Sequence, residues 1–441
     1  MKCRSFSGGV HPSIAKELTQ DIPIKVIPIP NELIIPLSQH TGAPCKPLVA
    51  KGDKVLKGQK IGESEAFISA PVHSPTSGEV VDVKPHIHPL GQKINSVFIK
   101  PDMKDEWVDN LPKVSNIDDV STEEIVKKVK EAGIVGLGGA AFPTHVKLSP
   151  PKDKKIDTLL INAVECEPYL TADYRLMLEE KERILIGIKL LLKGLGINNA
   201  YLAIEDNKPK AIELMREALK KITDINLVIL KTKYPQGSEK QLIEAITKRK
   251  VPVGKLPLDV GVVVQNVGTA KAVADAVLEG KPLIERVLTV TGSNIKNPGN
   301  FLVRIGSKFS DIIEFCGGPY EELSKVIMGG PMMGIAVSSL DVPVIKGTSG
   351  ILLLSKKEVK YNEPGPCIKC GKCLQVCPMA FAPSRFVEAG EIRDYDQAMK
   401  DNISSCMECG SCSYVCPARR PMVQWIKVVK SQIQKKSKEK K

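Results

Sequence analysis

Cys367-Ile368-Lys369-Cys370-Gly371-Lys372-Cys373-Leu374-Gln375-Val376-Cys377-Pro378 and Cys406-Met407-Glu408-Cys409-Gly410-Ser411-Cys412-Ser413-Tyr414-Val415-Cys416-Pro417 spell one spacing twice. Each run is Cys-x2-Cys-x2-Cys-x3-Cys-Pro, and together they hold eight of the 12 cysteines in the chain. A reducing compartment disfavours disulfides, so cysteines at this density argue for metal ligation. Zinc sites use one Cys-x2-Cys pair per knuckle and four ligands in all, which leaves half of each run unexplained.

The spacing is instead that of bacterial ferredoxins, in which three cysteines of a run hold one cubane and the fourth crosses to the other. That pattern assigns Cys367, Cys370, Cys373 and Cys416 to one [4Fe–4S] cluster, and Cys406, Cys409, Cys412 and Cys377 to a second. Gly371 and Gly410 let backbone amides approach the sulfurs, and Pro378 and Pro417 turn the chain after the fourth ligand. Cys3, Cys45, Cys166 and Cys316 stand alone and read as small buried hydrophobes. Cys166 is a possible exception, because it lies inside a polar motif.

The remainder of the chain is too long for one core. Its 441 residues divide into about three or four domains. Hydrophobic content of 42% with 26% charged residues is ordinary for a globular protein. Aromatic content of 4% offers no stacking platform, which argues against nucleic-acid binding despite a net charge of +13. Part of that charge lies in Lys435, Lys436, Lys438, Lys440 and Lys441. The tail 431–441 reads first as a solvated, disordered end and second as an electrostatic foot on anionic lipid or an acidic partner. The N-terminus has no signal-peptide core, and Ile184 to Leu195 is interrupted by Lys189 and Lys193 and too short to span a bilayer. A cytosolic chain without its own anchor is expected.

A glycine-rich loop runs from Gly133 to Lys147, containing Gly136, Gly138, Gly139, Ala140, Ala141 and Phe142. Ser121-Thr122-Glu123-Glu124 before it predicts a capped helix, and residues 157–163 after it predict a buried strand. That strand runs into Asn162-Ala163-Val164-Glu165-Cys166-Glu167-Pro168-Tyr169, at the end where open α/β sheets bind ligands. Tyr234-Pro235-Gln236-Gly237-Ser238-Glu239 and Gln265-Asn266-Val267-Gly268-Thr269 repeat the design. A nucleotide-type α/β domain is predicted, with four unrelated turns as the plain alternative.

Residues 48–83 alternate in short strands with Gly-Asp turns and resemble the barrel-sandwich hybrid of biotinyl and lipoyl carriers. The stretch at the attachment point is Pro71-Val72-His73-Ser74-Pro75, without a lysine, so a swinging arm is not expected. His73, His86 and His88 read as unremarkable residues of a β-rich surface. Residues 284–319 resemble the soluble-ligand-binding β-grasp (SLBB) module.

Taken together, Phe6-Ser7-Gly8-Gly9-Val10-His11-Pro12, Pro36-Leu37-Ser38-Gln39-His40, the loops above, Gly329-Gly330-Pro331-Met332 and both cysteine runs resemble the RnfC family, whose members belong to the Rnf complex, an ion-pumping ferredoxin:NAD⁺ oxidoreductase. The domain order is also similar to the flavin subunit of respiratory NADH:quinone oxidoreductase. The resemblance implies noncovalent FMN in the central domain, NADH stacked on it, and electrons leaving through the clusters. It matches Gly136, Gly138, Gly139, Ala140, Lys147, Asn162, Gly237, Gln265, Asn266 and Thr269 to the flavin. It matches Glu167 and Glu239 to the NADH ribose and Phe142 to its adenine side, and includes Glu165 in the cofactor site. No residue acts as a catalyst beyond the cofactors, with Lys147 and Glu167 in support. Leu137 replaces an arginine, Val164 an aspartate and Ser238 a glutamate, so those contacts do not carry over. Ala141 replaces a glycine, a small change unless the position needs φ > 0.

The fold expected is therefore α/β multidomain. A barrel-sandwich hybrid occupies 1–112, an FMN/NADH α/β domain 113–283, and a β-grasp module with linker 284–360. A helical two-cluster ferredoxin-type domain occupies 361–430 and a basic tail 431–441. The expected function is that of an NADH-binding flavo-iron–sulfur subunit of an ion-translocating oxidoreductase. Its partners would be other Rnf subunits and ferredoxin-like carriers, met on the cytoplasmic side of the cell membrane, where the chain is peripheral. A two-cluster relay adaptor without bound nucleotide is the alternative.

Overall fold

The computed structural model describes residues 3–109, 111–359 and 363–439. The central unit is a parallel four-stranded sheet in the order Ile225–Leu230, Ala200–Glu205, Thr158–Ala163, Val262–Asn266. Its strands are apolar on both faces because helices cover both. Leu159, Ile161 and Ala163 point into one core with helices Lys181–Leu195 and Val267–Glu279, while Leu160 points into the other with Leu242, Ile243 and Ile246. The two helices of the first face cross in contact: a Cβ at Gly187 would lie 1.8 Å from the Ala270 carbonyl oxygen. Helix Thr122–Glu131 begins at the predicted place, where the Ser121 hydroxyl accepts the Glu124 N–H.

Chain order and sheet order diverge in a way that locates the site. From Thr158–Ala163 the chain moves outward through two strands in one direction, then returns to place Val262–Asn266 on the other side of the starting strand. The reversal lies between Thr158–Ala163 and Val262–Asn266, where Asn162 and Asn266 pair in register at the carboxyl ends. In open α/β sheets ligands bind at that switch point.

The N-terminal unit packs an antiparallel sheet, Leu33–Pro36, Lys93–Pro101, Gly78–Ile87 and Lys54–Val55, with a smaller three-stranded one around Leu33, Ile35, Ile61, Val72 and Val97. Its tip is not a free arm. His73, Ser74 and Thr76 are buried, and the Lys346 ammonium donates to the carbonyls of Pro71 and Gly133 at 2.7 Å each. The surface expected for the histidines is also corrected: His73 and His88 are buried, and burial holds both well below the usual imidazole range.

The β-grasp module is built on strands Glu285–Thr291, Gly299–Arg304, Lys325–Met328 and Gly350–Leu354 with helix Phe309–Phe315. Its sheet recruits Ile24–Val26, a strand from the sequence's first hundred residues, parallel to Gly299–Arg304. The C-terminal unit is helical, with Phe386, Ala389, Ile403, Ile426 and Val429 at its core. Its last helix runs Met422–Glu439, so most of the expected disordered tail is helix, and Lys436 lies 4.7 Å from the Tyr395 ring centroid. The side chain of Lys438, and Lys440 and Lys441, lie outside the described residues. Among the described residues no helix is long and apolar enough to cross a membrane.

Candidate flavin and iron–sulfur centres

The switch point gathers the predicted polar groups. Asn266 caps helix Val267–Glu279, accepting from Gly268 and Thr269 N–H at 2.8 and 3.3 Å, and donates to Asp173 at 2.7 Å. The Thr269 hydroxyl accepts the Leu137 N–H at 2.9 Å, which draws the glycine loop over the helix N-terminus. A Cβ at Gly138 would lie 3.5 Å from that of Asn266, whereas one at Gly139 would meet nothing within 4 Å. The loop thus rests on one side and stays open on the other. Asn162 donates to the Gly237 carbonyl at 2.7 Å, tying the loop 234–238 to the strand end. Lys147 donates to Glu239 at 2.5 Å and to the Val264 carbonyl at 2.9 Å.

Several buried amides on these segments carry unused bonding capacity. Gln265 Nε2 and both polar atoms of Gln236 are without protein partners, although both residues are buried. Buried amides in native proteins are nearly always satisfied. Open glycines, a fixed ammonium and unspent amides at a helix N-terminus fit a flat ring bearing a phosphate.

Two acidic residues are committed elsewhere. Glu165 accepts from the backbone of Asp173 at 2.7 Å and Tyr174 at 3.3 Å, serving as the cap of helix Ala172–Glu179. Lys16, buried beside it, donates to the carbonyls of Glu165 and Glu167 at 3.0 Å each. Glu167 accepts from Met332 and Met333 N–H at 3.1 and 2.8 Å and from Tyr234 at 3.4 Å, and burial raises its carboxyl. Lys16 is not among the residues the sequence predicts here, and Tyr234 and Gln236 lie in a predicted polar loop without an assigned role. Lys16 carried no local signal, because its partners lie about 150 positions away in the chain.

The departures have local accounts. Leu137 and Val164 are buried in the two cores of the sheet, and Ser238 donates to the Met407 sulfur at 3.3 Å. Ala141 sits at φ 48°, so the position does take a left-handed backbone and alanine is strained there. Phe142 is half-buried, its carbonyl accepting Gly136 N–H at 2.9 Å.

The eight cysteines are shared between two cavities. One cavity is lined by Cys377, Cys406, Cys409 and Cys412, and a separate one by Cys367, Cys370, Cys373 and Cys416. The runs share their backbone: Lys369 and Glu408, Gly371 and Gly410, and Ala380 and Arg419 are all left-handed. Backbone N–H groups of Phe381 and Glu408 reach Cys377 and Cys406 sulfurs at 3.3 and 3.4 Å. Burial pushes Cys406 up to about 11 and Cys412 up to about 12, a cost that the positive charge of a bound metal would offset. No three such groups among the described residues close in far enough for a single ion. Four cysteines around each of two cavities fit a pair of [4Fe–4S] cubanes. Of the lone cysteines, Cys45 and Cys316 are buried, Cys3 is exposed, and Cys166 accepts the Gly237 N–H at 3.2 Å.

The centres adjoin each other. Val10, Tyr234 and Cys409 form one apolar cluster with Cys166, Met332 and Met407. Gln241 donates to the Pro378 carbonyl at 3.1 Å, and Gly9 N–H to that of Val376 at 2.8 Å.

A switch-point α/β domain sharing a wall with a paired-cubane domain defines the class of flavo-iron–sulfur electron carriers. Four family models match in order: an RnfC barrel sandwich hybrid domain over 4–104, a Nuo51 FMN-binding domain over 129–275, an SLBB domain over 287–336 and a 4Fe-4S dicluster domain over 359–417. The chain is 52% identical over 430 residues to the RnfC-type member of the proton-translocating ferredoxin:NAD(+) oxidoreductase complex of Clostridium ljungdahlii, covering 97% of this chain and 94% of the relative. It is 47% identical to the equivalent member of the Na(+)-translocating complex of Acetobacterium woodii, over 98% of each. It is 43% identical to that of the ion-translocating oxidoreductase complex of Rhodobacter capsulatus, over 97% of this chain and 83% of that one. The chain belongs to the RnfC family of Rnf-complex proteins. A chain of the NAD+-reducing [NiFe]-hydrogenase in the air-oxidized state shares the fold with a TM-score of 0.51 at 19% identity, over 71% of this chain and 64% of that one.

Proposed function

We propose that this chain is the nucleotide- and flavin-binding member of an ion-translocating ferredoxin:NAD⁺ oxidoreductase complex, peripheral to the cytoplasmic face of the membrane. The observation that carries the reading is the shared wall: the loop 234–238 touches both the switch point and the cavity of Cys377, Cys406, Cys409 and Cys412. Bound FMN supplies exchange between a hydride and single electrons, and bound [4Fe–4S] clusters supply single-electron carriage.

The chain's own residues bind and orient. Gly136, Gly138, Gly139 and Ala140 would hold the flavin through their backbone, with Asn162, Gly237, Gln265, Asn266 and Thr269 completing the site. Lys147, kept in place by Glu239 and the Val264 carbonyl, brings positive charge to a site that accumulates negative charge on reduction. Phe142 would meet the nucleotide, and Glu239 would do so while paired with Lys147. Glu165 shapes the site through the backbone N–H groups of Asp173 and Tyr174, and Glu167, held by Met332 and Met333 N–H, lines the cleft beside Gly138–Ala141. Protein isolated without oxygen is expected to show flavin absorbance near-stoichiometric with chain, bleached by NADH. Clusters without flavin, or flavin indifferent to NADH, would leave a relay adaptor.

A further inference from the structure

The glycine loop leans on the β-grasp module through two buried cations. Arg286, 6% exposed, belongs to strand Glu285–Thr291 and donates from Nη2 to the Leu137 carbonyl at 3.2 Å and from Nη1 to the Lys346 carbonyl. Lys346, 1% exposed, donates to the carbonyls of Gly133 and Pro71, and its own N–H reaches Gln39 Oε1 at 3.1 Å. The next residue closes the contact: a Cβ at Gly347 would lie 3.1 Å from the Gly139 carbonyl oxygen. The loop is thus backed at Gly133, Leu137 and Gly139 by a module that follows it in the chain. On its other side, Leu137 N–H meets Thr269 at the helix N-terminus.

Neither cation has a counter-ion. Every hydrogen bond that the two side chains make among the described residues goes to a backbone carbonyl. Asp173 is the carboxylate that acts on Arg286, but it lies outside ion-pair reach and accepts from Asn266 at 2.7 Å. The other charges beside Arg286 are matched to each other, Lys271 with Asp275 at 2.7 Å and Glu285 with Arg304 at 3.3 Å. Around Lys346, burial keeps His40, His73 and Cys45 neutral. Burial also draws Lys346 down to about 7 and Arg286 down to about 10, as expected of charges without an anion beside them. A carbonyl can be held by a neutral donor, so stitching alone does not call for two buried charges, which cost far more to desolvate. Their positive potential falls on a loop whose site takes up a phosphate and electrons.

We propose that Arg286 and Lys346 are positioning residues of the flavin site: through them the β-grasp module sets the glycine loop and lends it positive charge. The inference rests on the functional reading above, since it takes the loop to hold FMN. No covalent step is involved.

The test is redox titration of the anaerobic holoprotein followed by flavin absorbance, alongside equilibrium dialysis against FMN. Arg286→Met is expected to weaken FMN by about tenfold, the worth of one hydrogen bond to a charged group. It should also shift the flavin midpoint potential downward, because reduction adds negative charge that the guanidinium no longer meets. Arg286→Lys keeps the charge with fewer donors, so it should return the potential toward the native value while recovering only part of the affinity. Lys346→Met should lower the potential as well. A loop that is merely stitched would lose FMN and melting temperature in all three variants, with the potential of the remaining flavin unchanged; that result overturns the proposal and leaves the functional reading standing. A native potential in one methionine variant removes that residue from the assignment. Should Arg286→Met fail to fold or to retain FMN, Lys346→Met decides: a lowered potential carries the proposal and a native one ends it. Native protein without flavin removes the functional reading and this inference together.

Discussion

The hydroxyl of Tyr234 donates to the backbone carbonyl of Cys409 at 2.8 Å. One residue of the α/β domain is thereby bonded to a ligand position of the cluster domain, and its ring is 1% exposed. Tyr234→Phe keeps the packing and leaves the Cys409 carbonyl buried and short of one donor. A loss of about 1 kcal/mol is expected. Thermal denaturation should register it, and stopped-flow spectroscopy should show NADH bleaching the flavin at the native rate while cluster reduction slows.

Crossed ligation predicts an unusual pattern of loss. Cys377→Ser should spare the cluster of Cys367, Cys370, Cys373 and Cys416 and remove the other, although Cys377 belongs to the first run. Iron should fall from about eight to about four per chain. Cys416→Ser should remove the opposite cluster. Electron paramagnetic resonance of the reduced variants distinguishes them.

Lys147 and Glu239 form an ion pair at 2.5 Å beside the strand ends. Lys147→Met should weaken FMN by about tenfold or more, because a charge-assisted contact is lost where the phosphate or reduced ring needs it. Equilibrium dialysis against FMN measures this, with cluster iron as the unchanged control.

The barrel should be acid-sensitive. Burial holds His40 and His88 at about 4, below the unfolded value of about 6.5. A depressed imidazole contributes stability that is complete above the unfolded value and is lost as pH falls through the folded one. Melting temperature should therefore decline between about pH 6.5 and 4, and His40→Gln should flatten part of that slope.

The crossing of helices Lys181–Leu195 and Val267–Glu279 tolerates no side chain at Gly187. Gly187→Ala should cost about 1–3 kcal/mol by overpacking, despite alanine's better helix propensity. Chemical denaturation is the check.

How much of this was legible depended on the range of the interaction involved. The cluster ligands are local: short loops place three sulfurs, and the repeat of the run supplies the fourth, so spacing alone grouped Cys377 with Cys406, Cys409 and Cys412 as the cavity does. The Ser121 cap and the strand ending at Ala163 were likewise written within a few residues. Glu165 and Glu167 sit at a strand end, where acidic groups look free until distant backbone is counted. One caps a helix that follows it, and the other meets Met332 and Met333 from the β-grasp module. The pairing of Ile24–Val26 with Gly299–Arg304 joins segments with no local signature of each other. The lysine tail resembled disorder by composition, yet Ile426 and Val429 anchor its helix on Phe386 and Ala389.

The claim that matters most is that two cubanes take electrons from a nucleotide through a neighbouring flavin site. Protein prepared without oxygen should contain about eight irons and as many acid-labile sulfides per chain, and NADH alone should generate the resonance signals of reduced [4Fe–4S] centres. Zinc in the cysteine sites, or iron at that level with no signal after NADH, would contradict the account.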